Sequence, residues 1–134
     1  MAGALRPGGL LLDILPDPGD PAVEALTASG PVSIGRVDES NRSARVRHAR
    51  AALAGLVEAG WFAPERALVF EFASYADTVE DWLAHRTEKG STSVVSQALL
   101  DRARALLAAG AARLCLREQV TATRYRRRPE RSEG

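Results

Sequence analysis

Residues 9–15 read GLLLDIL, a near-continuous apolar run set between LRPGG, residues 5–9, and PDPGDP, residues 16–21. No other segment limits the fold as much. Pro7 cannot continue a helix, and Gly8 and Gly9 accept the positive φ needed to reverse direction, so ALRPGG reads as a helix end turning into a strand. A strand that is apolar at successive positions is covered on both faces, as in a parallel sheet flanked by helices. Pro16, Pro18, Gly19 and Pro21 then forbid regular structure and force a loop. A chain that opens on a helix end and a buried strand is expected to lack an upstream part of a larger fold.

With 134 residues, 46% of them hydrophobic and 26% charged, the chain suits one domain with a real core. Its formal net charge of +1 steers it toward neither a polyanion nor a membrane surface. Lys89 is the one lysine among 18 basic residues, and nothing in the order of the arginines gathers them on one face, so no nucleic-acid partner is expected. Cys115, the single cysteine, excludes an internal disulfide and fits a reducing compartment. GGLLLDIL is short and carries Asp13, which speaks against a signal peptide, and no stretch approaches the ~20 apolar residues of a membrane span. These features predict a soluble, cytoplasmic protein.

The remaining elements follow from periodicity. AVEALTASGPVSIGRV holds two β-rich pieces around ASGP and predicts a small hairpin. From Ser40 to Ala59 the spacing of Val46, Ala49, Leu53 and Leu56 predicts a helix, with Asp38 or Ser40 at its start and Gly60 at its stop. RALVFEFASY, residues 66–75, predicts a strand with Leu68, Phe70 and Phe72 on one inward face. Asp77 and Glu80 suggest a capping box for a short helix that buries Val79, Trp82 and Leu83. A stronger helix carries Leu99, Ala103 and Leu106. Finally ARLCLREQVTATRY alternates, with Leu114, Leu116, Val120 and Ala122 inward and Arg113, Arg117, Gln119 and Thr121 outward, which predicts a long antiparallel or edge strand.

That order, with LRPGG leading into LLLDIL and EAGWF (Glu58–Phe62) leading into residues 66–75, resembles the C-terminal half of a class I S-adenosylmethionine-dependent methyltransferase. The resemblance implies an α/β fold: a partial Rossmann-like sheet made of the last three strands, one of them antiparallel, with a helical insertion. Residues 112–125 would be the seventh strand, inserted between the fifth, residues 10–15, and the sixth, residues 66–75. Residues 1–127 would form the methyltransferase-like region, with 76–110 as a lid-like insertion, and 128–134 a disordered basic tail.

The family holds its methyl donor with a glycine-rich loop after the first strand and an acidic residue after the second. RPGG precedes a strand rather than following one, so this chain alone is expected to bind no S-adenosylmethionine and to be inactive, whereas the complete family enzyme uses that cofactor. In a different class stands a non-enzymatic interaction module. An uncovered edge of the LLLDIL strand would pair with a second copy or with an N-terminal complementing partner.

Three residues are candidates for the substrate side. Asp13 interrupts an apolar strand near its carboxyl end, where ligands of parallel sheets sit; backbone N–H groups of the Pro-rich turn are its alternative partners. Tyr75 and Trp82 flank the start of the 76–110 insertion and would serve either as an aromatic wall or as core. Glu118 falls in the inward row of the last strand, where an arginine partner is the plainer expectation. Glu71 is expected to face solvent or an arginine. His48, His85 and Cys115 lie at no metal-ligand spacing, and Arg113 and Arg117 beside Cys115 suggest a lowered thiol pKa without supplying a paired base. Arg124, Arg126, Arg127, Arg128 and Arg131 form a basic cluster that reads as a solubilising end.

Overall fold

A computed structural model describes residues 6–129. The helix end expected before Pro7, and most of the 128–134 tail with Arg131, lie outside the described residues. The turn itself is present: Gly8 takes φ +81, and the Gly9 N–H donates to the Arg6 carbonyl at 2.8 Å.

Five strands and three helices follow in the order β1 (Leu10–Pro16), β2 (Ala22–Thr27), β3 (Gly30–Arg36), α1 (Ser40–Glu58), β4 (Phe62–Ala76), α2 (Val79–Glu88), α3 (Gln97–Ala108) and β5 (Arg113–Arg127). The protein is α/β, with a mostly antiparallel five-stranded sheet in which β5 pairs with β1, β2 and β4, and β2 pairs with β3. β1 runs antiparallel to β5 from Leu10 opposite Arg126 to Pro16 opposite Val120. β2 takes the earlier part of β5, from Ala22 opposite Arg117 to Leu26 opposite Arg113.

The partners of β4 descend along β5 as β4 ascends. The Arg128 N–H reaches the Trp61 carbonyl, Glu65 meets Arg126, and Glu71 meets Arg117. That sequence of partners is antiparallel.

Several sequence expectations need correction. The doubly covered β1 has one wet face instead, Leu10, Leu12 and Ile14 being 47%, 64% and 57% exposed, and its described partner is the antiparallel β5. An apolar run reports affinity for a covering layer; it does not report whether a layer is there. β4 starts at Phe62 rather than Arg66, so most of WFAPE belongs to the strand. Pro64 is tolerated because β4 pairs with β5 alone among the described strands, which leaves an outer edge needing no N–H. Leu68, Phe70 and Phe72, expected inward, are 55%, 39% and 51% exposed. The α2 cap is Thr78 rather than an Asp77–Glu80 box: its Oγ1 accepts from the Asp81 N–H at 3.0 Å. The final strand runs on to Arg127, so Arg124, Arg126 and Arg127 of the supposed basic end are strand residues.

The chain divides into two compact units, and α1, β4 and β5 contribute to both. One comprises the chain up to Asp17, Arg45–Phe70 and residues from Gln119 onward. Val46, Phe62 and Val120 are its buried apolar residues. The other comprises Pro18–Ala44 and Glu71–Glu118 and holds the larger core. There Val23, Ala25, Ile34 and Val37 of the hairpin region pack with Val79 and Trp82 of α2 and Leu99 and Ala103 of α3.

Segment 76–110 thus contributes Val79, Trp82, Leu99 and Ala103 to this core. The α3 stripe works because Gly35, at φ +155 where the β2–β3 register shifts, removes the side chain that would crowd it. A Cβ there would lie 3.3 Å from Leu99 Cδ1.

Candidate functional site

The second unit contains a surface cavity of about 600 Å³, within the range of small-molecule sites. Val23, Leu114, Leu116 and Phe72 supply apolar surface, and Tyr75 with Trp82 adds two aromatic rings. Strand pairing puts the end of β4 beside the start of β5, while α2 carries Trp82 and His85 on successive turns toward the same space. Sequence order alone separates Tyr75 from Arg113 by a helical pair; the pairing of β4 with β5 brings the Arg113 guanidinium to 4.1 Å from the Tyr75 ring centroid. Arg86 lies similarly 5.6 Å from the Trp82 centroid.

Part of the charge lining the cavity is paired internally. Arg42 bridges Glu39 at 3.4 Å and Glu118 at 3.1 Å. Arg86 donates to the Ser93 carbonyl at 2.6 Å and to the Ser93 hydroxyl. Burial loosens the Arg86 proton somewhat, opposed by the nearby Glu39 charge. Among the described residues Arg113, like Arg86 and Lys89, has no carboxylate ion pair, and the Tyr75 ring is its stacking partner. Asp77 and Asp81 stand at the rim by the α2 N-terminus, with His85 and Lys89 toward its other end, the distribution a helix dipole favours.

Tyr75 and Trp82 are thus brought together in one cavity, Tyr75 half exposed and Trp82 8% exposed as part of the core as well. Asp13 is not among the residues that line it. It sits half-buried in β1 opposite Thr123. The carboxylate that anchors the Pro-rich turn is Asp17, which accepts from Thr121 Oγ1 at 2.7 Å and Arg50 Nη2 at 2.8 Å. Glu118 is paired with an arginine, and Glu71 is exposed and paired with Arg117.

Cys115, placed in the outward row by alternation, is fully buried, and burial pushes its thiol pKa up against the pull of Arg117. The expectation of a lowered thiol fails because desolvation outweighs a neighbouring charge that is itself held by Glu71 and Glu24. Among the described residues no group of three His, Cys, Asp or Glu side chains is placed to hold a metal ion. Arg113 and Arg42 were missed as cavity residues, since alternation along one strand cannot show which aromatic or acid lies across the next.

Compared with family models, with curated proteins and with solved structures, the chain matches none. Among the described residues no helix is long and apolar enough to cross a membrane.

Proposed function

We propose that the chain is the substrate-side, C-terminal part of a class I methyltransferase-like protein, with the cavity of the second unit as its ligand site. One observation supports this reading: β5 pairs with β1 and with β4 and runs antiparallel to both, as the resemblance implies for a seventh strand beside the fifth and sixth. The Gly8 turn into an apolar β1 supports it. The added β2–β3 hairpin, also paired to β5, is an elaboration of that arrangement.

The residues present do not fit the methyl donor. Its cradle needs a glycine-rich passage from strand to helix, where backbone approaches the ligand. Here the passage from β3 to α1 is Val37–Glu39, and that from β4 to α2 is Asp77–Thr78, neither with a glycine. Catalysis in such enzymes rests on holding donor and acceptor in line, and this chain contributes the acceptor side. Titration of S-adenosylmethionine into the protein, followed by calorimetry, is expected to give no saturable heat. Saturable micromolar binding would overturn the assignment to the substrate side.

A second reading, a non-enzymatic module that associates with a second copy or a complementing chain, is favoured by a separate observation. β1 pairs with β5 alone among the described strands and presents Leu10, Leu12 and Ile14 to solvent.

A further inference from the structure

We propose that the cavity of the second unit binds small planar molecules bearing one carboxylate, with Arg113 as the carboxylate fork and Tyr75 and Trp82 as the wall for the flat body. The inference rests on taking this cavity as the substrate side and names the class of molecule it holds.

Three features select that class. The first is the state of the cations. Arg42 is neutralised by Glu39 and Glu118, and Arg86 is occupied by Ser93. Arg113 and Lys89 have no carboxylate partner among the described residues, and of the two Arg113 alone offers a planar fork, stacked on the Tyr75 ring at 4.1 Å. A guanidinium lying over a ring keeps its in-plane N–H groups for an acceptor, and its planar fork matches a carboxylate.

The second feature is the wall: Tyr75, Trp82 and Phe72 together with Leu114 and Leu116 give an apolar and largely aromatic surface suited to a flat body. The third is Asp77 and Asp81, which also line the cavity. With Glu39 and Glu118 they balance the four cations Arg42, Arg86, Lys89 and Arg113, so the lining has no surplus positive charge for a second negative charge, and a monoanion is preferred to a phosphate or a dicarboxylate. Fixing Arg113 by stacking before the ligand arrives lowers the ordering cost of binding.

The test uses 2-naphthoate, the neutral 2-naphthamide and 2-naphthyl phosphate as probes, titrated into the full chain and followed by ligand-observed NMR. Expected are saturable binding of 2-naphthoate and at least about tenfold weaker binding of both other probes, the difference that a charge-assisted fork supplies. Arg113→Gln should weaken 2-naphthoate by about tenfold and leave 2-naphthamide unchanged. Tyr75→Leu should weaken both acid and amide.

Trp82 belongs to the core, so the variants avoid it, and thermal unfolding of each variant checks that it remains folded. Equal affinity for acid and amide, tighter binding of the phosphate, or indifference to Arg113→Gln would overturn the proposal. That last result would also be seen if the probe settled on Leu10, Leu12 and Ile14 instead. The donor titration reads the methyltransferase kinship and the probe titration reads the cavity, so failure of one is distinct from failure of the other.

Discussion

At the scale of single residues, burial and partners outweigh what neighbours in sequence suggest. Cys115 has Arg113 and Arg117 two positions away on either side, yet its thiol is held up by burial. Asp17 shows the opposite balance. The hydrogen bond from Thr121 and the hydrogen bond and charge of Arg50 hold its carboxyl below the usual carboxylate range, against the opposing pull of desolvation. Because its folded pKa is depressed, the unfolded chain takes up the proton first as pH falls. The contribution of Asp17 is therefore complete above the ordinary value near pH 4 and is lost as pH drops through the folded value. Asp17→Asn should lower stability by about 1 kcal/mol at pH 7, measured by urea denaturation. The gap to the parent protein should close as pH is stepped below about 4; a gap unchanged across that range would remove Asp17 from the account. Pro-rich composition marked a loop at 16–21 but could not say which nearby acid anchors it, since Asp13 and Asp17 differ only in what lies across the strand pair.

At the scale of elements, the periodic segments were legible and their surroundings were not. Helices α1, α2 and α3 and the β2–β3 hairpin lie where spacing and turn residues put them, though the α2 cap is Thr78, because these signals act locally. Ser96, for instance, caps α3 through a hydrogen bond from the Leu99 N–H. The face of a strand that is buried depends on its partners, so Leu68, Phe70 and Phe72 were assigned to the wrong environment. Register is the element-level feature on which the functional reading turns. Ile14 and Ala122 are directly opposite in the antiparallel β1–β5 pair. They fall between the hydrogen-bonded pairs, where Cα atoms stand about 4.5 Å apart and a disulfide fits. Ile14→Cys combined with Ala122→Cys should lose both new thiols on mild oxidation, leaving Cys115 as the one thiol titrated after denaturation. Three free thiols would contradict the register and, with it, the strand order that supports the methyltransferase-like assignment.

At the scale of the whole molecule, burial is unevenly shared. The unit built on β2, β3, α2 and α3 holds nine clustered buried residues, whereas Leu10, Leu12 and Ile14 of the other unit remain in water. Apolar side chains at alternate positions beside an unpaired strand edge invite association. If they serve as an interface, light scattering across a chromatographic peak should give twice the chain mass of 14.3 kDa. Leu12→Lys, placed at the most exposed of the three, should then return the monomer with little change in stability. A monomer at all concentrations in the parent protein would remove the interaction-module reading while leaving the cavity untouched.

The sequence by itself determined the helices, the hairpin, the turn at Gly8 and the long final strand, because capping, periodicity and backbone freedom are encoded within a few residues of each other. It also singled out Tyr75 and Trp82, large aromatics at either side of a helix start. The resemblance set the final strand between residues 10–15 and 66–75; only the tertiary structure decided that β2 pairs with it too, that Val79, Trp82, Leu99 and Ala103 join one core, and that Arg113 stacks on Tyr75 in the lining of a cavity. Those outcomes depend on which strand pairs with which. Pairing joins residues far apart in the chain, through backbone groups that every residue carries alike.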